Sequence, residues 1–402
     1  GVAQAGSYIV GLTQAPSEEI YIPAQTDWGF TIRAALSPLT WQDESTIFSG
    51  DNISIAHSNG RSSARDSAGQ LHVVWSDDGV LQHGFYDQLN SSWTNTVINT
   101  GLDGTHTHPV IEHFEGLGLV IVWETQSAAS EKLIYGKRST DLGATWSESA
   151  KISPGAGIAP SLMGFKDSLN APVLLVGWHD DISGHVKART WSGSDWTNGG
   201  WSAPETLDQL DGGSRFVDFA ALEEEIIAVW EDDSPGESTV YLAHYSIPNG
   251  TWAMGAALTD SESGEAISGG RPSIATLSTG AIYITHEKDG VLSRRVSTNK
   301  GASFSDQGDY GSGHKAQIEA SSDSPGAVVW ERTMASSGDS SVGLALSPDS
   351  FEHLLGPTLL PGSSTAQNQT HPSINLTPPW LDIIWLEAIS EGTVIKQRTL
   401  KL

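Results

Sequence analysis

Four pairs of a basic and an acidic residue stand sixteen positions apart in this chain: His108 and Glu124, Arg215 and Glu231, Arg271 and Glu287, Lys315 and Glu331. A repeated spacing of this kind holds two kinds of chemistry in register. Arginine forks grip carboxylate or sulfate bidentately. Carboxylates and imidazoles exchange protons with a bound ligand. Such pairs suit an acidic or hydroxyl-rich ligand, with acid–base groups beside it. They also suit plain ion pairs at a solvated rim, worth about 0–1 kcal/mol each. Both readings stay open at this point.

The pairs belong to two longer series. One runs Arg61, His108, Ala159, Arg215, Arg271, Lys315 and His371; the other runs Ser76, Glu124, His179, Glu231, Glu287, Glu331 and Leu386. Six of the seven positions in the first series are cationic or can become so, in a chain where only 21 of 402 residues are Lys or Arg. The residues expected to bind substrate are therefore Arg61, Arg215, Arg271, Lys315, His371, Glu124, His179 and Glu331. Those expected to do chemistry are His106 and His108, in Thr105-His106-Thr107-His108, together with Glu231 and Glu287. Zinc on His106 and His108 with His179 or His371 has no supporting ligand spacing, so no metal is expected there. Calcium is a possible ligand of Ser76-Asp77-Asp78-Gly79 and Glu231-Asp232-Asp233-Ser234-Pro235-Gly236. Neither segment completes a calcium-loop pattern, and both also read as hairpin turns.

The elements that position these residues recur as well. Apolar runs end at Val74-Trp75, Val122-Trp123, Gly177-Trp178, Val229-Trp230, Val329-Trp330 and Ile384-Trp385, and a seventh, Ile282-Tyr283-Ile284-Thr285-His286, has His at the Trp position. The step of about 45–55 residues is that of a four-stranded propeller blade. A second phrase, opened by Trp41, Trp93, Trp146, Trp201, Trp252, Phe304 and Phe351, marks an outer strand in each repeat. An outer-strand copy comes first, and the chain ends after a third strand. The segment at 39–49 is therefore expected to complete the last blade and close the ring. The sequence predicts an all-β, seven-bladed β-propeller over residues 33–402. A tandem sandwich would not explain the split blade. Residues 1–32 fall outside the repeat and read as a strand-like arm. Such an arm either lies along the propeller or pairs with a neighbouring copy in self-assembly.

The net charge of −27 disfavours nucleic acid and anionic membranes as partners. No apolar run is long enough to span a membrane. With no cysteine there is no disulfide and no thiolate metal site. Asn52, Asn90, Asn249, Asn368 and Asn375 each begin a glycosylation sequon. They point to a secreted or cell-surface protein.

Ser139-Thr140-Asp141-Leu142-Gly143-Ala144-Thr145-Trp146 resembles the Asp box of the sialidase-like, BNR-repeat propellers. A weaker copy is Ser297-Thr298-Asn299-Lys300-Gly301-Ala302-Ser303-Phe304, with fragments at Ser347–Phe351 and Asn249–Trp252. The resemblance covers about residues 33–402 and implies the propeller fold. The box itself is structural: its Asp caps backbone amides and its Gly takes a positive φ. The chain lacks the Phe-Arg-Ile-Pro motif of sialidases. By the same resemblance Tyr310 lies where such enzymes carry a nucleophile, with Glu231 or Glu287 as its base; a packed loop Tyr is the plainer reading. Three functions follow as expectations. One is a glycoside hydrolase or polysaccharide lyase acting on an anionic glycan at the central mouth. The second is a non-catalytic carbohydrate-binding propeller. The third is a surface-layer or filament subunit that assembles through residues 1–32.

Overall fold

The computed structural model describes residues 40–402, apart from 58, 88–89, 91, 194, 198, 209–211, 235, 322–325, 334–338, 348–350, 352–354 and 361–367. The expected arm at residues 1–32 and the middle of the Ser347–Phe351 fragment lie outside the described residues. The described strands form seven antiparallel sheets arranged as a propeller. Blade two is representative, with strands Thr105–Phe114, Gly118–Gln126, Lys132–Ser139 and Ala150–Lys151. In blade seven, Thr40–Trp41 and Ser45–Gly50 both pair with the C-terminal strand Gly392–Lys401. The ring closes as the order of the repeats predicts.

The second strand of each blade is apolar without alternation because both of its faces are covered. Leu119 to Trp123 are all at most 1% exposed. Val120 and Val122 face blade three, while Leu119, Ile121 and Trp123 face blade one. Seven apolar clusters result, one at each boundary between adjacent blades. All six Trp of the repeat are buried, and so is His286 at the seventh position.

Six inner strands begin with a β-bulge. The first bulge residue has a left-handed backbone: His108 (φ 49°), Ala159 (49°), Phe216 (57°), Arg271 (46°), Lys315 (52°) and His371 (51°). A non-glycine residue there costs about 1–2 kcal/mol. The bulge re-aims its side chain out of the ladder, so six blades each present one residue at the same end of the ring.

The two Asp-box hairpins sit at the opposite end. Asp141 accepts hydrogen bonds from the Thr145 amide (2.8 Å) and hydroxyl (2.6 Å) and from the Ser139 hydroxyl (2.8 Å). Asn299 does the same work with Ser297 and Ser303. Leu142 and Gly143 take positive φ, as do Lys300 and Gly301.

Candidate functional site

The register places the end of each second strand beside the start of the inner strand: Thr107 opposite Glu124, Arg215 opposite Glu231, Gly270 opposite Glu287, His314 opposite Glu331. The carboxylates then reach sideways. Each accepts the backbone N–H of the bulge residue in the next blade: Glu124 from Ala159 (2.7 Å), Glu231 from Arg271 (2.5 Å), Glu287 from Lys315 (2.5 Å), Glu331 from His371 (3.3 Å). Left-handed bulges expose an amide that no ladder partner takes, and the glutamates supply its acceptor.

Three of the four expected pairs form as ion pairs. Arg215 holds Glu231 at 2.5 Å and Asp233 at 2.6 Å. Lys315 lies 3.0 Å from Glu331. His108 Nδ1 lies 3.3 Å from Glu124. Arg271 is different. Its partner by spacing, Glu287, turns instead to His314 at 3.2 Å. Among the described residues Arg271 makes no ion pair; its guanidinium lies over the Phe216 ring, 4.6 Å from the centroid.

One corner of the mouth is assembled by a loop that the repeat does not predict. His57 stacks on His108 with ring centroids 3.9 Å apart, and its Nε2 lies 3.2 Å from Glu124. Its ring also stands 6.0 Å from Phe216, which places this corner next to Arg271. Burial lowers the His57 pKa and favours neutral imidazole, although Glu124 pulls the other way. Burial alone would raise Glu124, but the two imidazoles beside it, His108 and His57, hold it well below the usual carboxylate range. The ligating atoms of His57, His108 and Glu124 all lie within 4.8 Å of one another, a set that can coordinate a metal ion. Across the mouth, burial and then the charge of Lys315 lower His371 to about 4; Lys315 Nζ is 3.3 Å from its Nε2.

His57 is held by the residues that follow it. Asn59 Nδ2 donates to the carbonyls of Ala159 and Val217, 3.0 Å each, and Gln317 donates to the Gly60 carbonyl at 2.6 Å. The loop therefore crosses the central channel and plugs it. A Cβ on Gly60 would meet Val110 Cγ1 at 2.3 Å, so the crossing needs glycine. Below the plug is a cavity of about 490 Å³ lined by Arg61, Glu112, Asp218 and Glu319 among others.

Several expected site residues lie away from the mouth or are engaged at its rim. Arg61 points down the channel, 2.8 Å from Glu319 and 3.6 Å from Asp218. Burial and the nearby Glu319 push Glu112 there to about 8. His106 is 5% exposed and is held between the hydroxyls of Thr100 (3.0 Å) and Thr125 (3.1 Å). Tyr310 is 2% exposed, packed 5.4 Å from Trp330, and burial pushes its hydroxyl well above its ordinary pKa. A hydroxyl so placed cannot attack a bound sugar. His179 hydrogen-bonds the Ser214 carbonyl. The acidic turns are occupied too: Asp78 and Gly79 (φ 48° and 77°) turn a hairpin, and Asp232 accepts from Ser214 and Ser234.

Phe216 escapes the sixteen-residue rule because the blade-four hairpin is one residue shorter. Asp218 pairs with Val229, eleven on, whereas Ser273 pairs with Thr285, twelve on. The spacing lands on Arg215, and the bulge falls on Phe216. His57 lies before the inner strand of blade one and carries no repeat signal.

No family model matches the chain, and no curated protein matches it. Solved structures share its fold. An ulvan lyase of a polysaccharide lyase family aligns with TM-score 0.61 at 12% identity, covering 88% of this chain and 95% of that one. Another polysaccharide lyase aligns at 0.53 with 9% identity, covering 96% and 94%. The α-L-arabinofuranosidase from Fusarium graminearum aligns at 0.51 with 13% identity, covering 76% and 98%. At such identities the likeness is one of fold.

Proposed function

We propose that this propeller binds an anionic polysaccharide across its mouth and cleaves it by elimination beside the bound acid group. The observation that carries this reading is Arg271. In a chain of net charge −27, its guanidinium faces the mouth without an ion-pair partner among the described residues and lies on an aromatic ring. A carboxylate or sulfate of a ligand completes that fork. Lys315 and Arg215 stand along the same rim, each paired with carboxylates. Two proteins of this fold are polysaccharide lyases, which agrees with the reading.

Elimination fits the available groups better than hydrolysis through paired carboxylates. Glu124, Glu231, Glu287 and Glu331 are each engaged by a backbone amide, and Tyr310 is buried. The neutral imidazole of His57, beside Arg271 and Phe216, is a group placed to take a proton. In a uronate the proton leaves the carbon next to the carboxylate and a C4–C5 double bond forms. The glycosidic C4–O bond breaks, and the leaving oxygen takes up a proton. Arg271 would neutralise the carboxylate and so acidify that carbon. A secreted setting agrees with the exposure of Asn52, Asn90, Asn249 and Asn368.

The test is incubation with uronated, sulfated and sialylated polysaccharides. New reducing ends together with the absorbance of an unsaturated uronate are expected. New ends without that absorbance would mean hydrolysis. Retention without any product would leave a binding module, a reading that the occupied carboxylates also suit.

A further inference from the structure

We infer that His57, His108 and Glu124 form a binding site for one first-row divalent cation, with zinc the best match. The donor set is two imidazoles and a carboxylate, a combination that suits zinc rather than the all-oxygen shell of calcium. His57 Nε2 lies 3.2 Å from Glu124 Oε1 and His108 Nδ1 lies 3.3 Å from Oε2, one imidazole at each carboxylate oxygen. A tetrahedral ion with bonds of about 2.0–2.1 Å needs donor atoms about 3.3 Å apart. Charge-assisted hydrogen bonds are shorter, at about 2.7–2.9 Å. His108 Nδ1 is buried, and its approach to Glu124 does not meet hydrogen-bond geometry. An ion is the partner that this nitrogen lacks.

The supports of the site are in place without it. The Ala159 amide holds Glu124 Oε1, the oxygen nearer His57, at 2.7 Å, as outer-shell donors orient metal-ligating carboxylates. Asn59 pins the loop that carries His57 from the far side of the channel. Because all three donors already lie within 4.8 Å, side-chain rotation is enough to close them on an ion. Three protein ligands leave a fourth position open, as in catalytic rather than structural zinc sites. Within the elimination reading, a zinc ion held by these three residues would supply a base by acidifying bound water toward neutrality.

The full chain, stripped with a chelator and dialysed, is titrated with zinc chloride by calorimetry alongside H57A, H108A and H244A. His244 pairs with Glu225 in another blade and serves as the control. One zinc per chain is expected, unchanged in H244A. Binding should weaken about 100-fold or more in H57A and H108A, beyond the cost of losing an outer-shell partner. No zinc binding by the parent chain, or undiminished binding by H57A and H108A, overturns the site. Thermal unfolding of the variants without metal checks that they fold. R271A separates the two proposals: it should keep zinc and bind the polysaccharide about 10–100-fold more weakly. A parent chain that holds polysaccharide but no zinc refutes the metal site alone.

Discussion

Glu231 accepts the backbone N–H of Arg271 at 2.5 Å across the boundary between blades four and five. The same carboxylate holds Arg215 in its own blade. One side chain thus fixes the left-handed bulge that turns Arg271 toward the mouth, and joins two blades at the rim.

Replacing Glu231 with Ala leaves that amide without its acceptor and leaves Arg215 with Asp233 alone. The expected loss is about 1–3 kcal/mol of stability. Glu231→Gln keeps an oxygen at the amide and should lose less than half as much. Denaturant unfolding of the two variants measures this, and equal losses would contradict the latch.

Arg271→Ala should leave unfolding almost unchanged, because no acidic residue among those described depends on this side chain. Affinity for an anionic polysaccharide should fall about 10–100-fold, the value of a charged hydrogen-bonded contact. Arg271→Lys keeps the charge without the fork and should lie between. Affinity electrophoresis through immobilised polysaccharide resolves the three proteins.

His83 should make the fold acid-sensitive. Burial, then the neighbouring His72, lowers its pKa to about 3. The folded form stays neutral while the unfolded chain takes a proton below about 6.5. Its contribution is present above that pH and is lost as the pH falls from 6.5 toward 3, by at most about 1.4 kcal/mol per unit. His83→Gln should be less stable than the parent at pH 7.5, with a flatter decline between pH 6.5 and 3.5. Parallel slopes in urea titrations at those pH values would remove His83 as a cause.

His286 occupies the slot that holds Trp in the other six blades, and both of its ring nitrogens are buried without a hydrogen bond. Gly269 packs beside it as Gly313 packs beside Trp330, so the slot has the shape of its neighbours. His286→Trp should raise stability by about 1–2 kcal/mol by removing unsatisfied polar atoms and adding apolar burial. A lower unfolding midpoint would show that blade five cannot accept the larger ring.

Much of the mouth was legible in the sequence. The sixteen-residue spacing found His108 with Glu124, Arg215 with Glu231, and Lys315 with Glu331, because a short hairpin carries strand register directly into numbering. It failed by one residue at Phe216, where the hairpin is shorter. It could not show that Glu287 turns to Lys315 and His314 rather than Arg271, since that choice is made between blades. Tyr310 and His106 have suitable chemistry and unsuitable surroundings, and burial is not written in the residue type.

By itself the sequence determined the seven repeats, the closure of the last blade by the segment at about 39–49, and the end of the ring where charge gathers. Strands covered on both faces must be apolar throughout, and that requirement is local enough to read. Only the tertiary structure decided which side chains share the mouth. Asn59 reaches Val217 and Arg61 reaches Glu319, contacts between residues far apart in the chain. They carry His57 to the rim and draw Arg61 below it, because a loop crossing a channel takes its partners from whichever blades it meets.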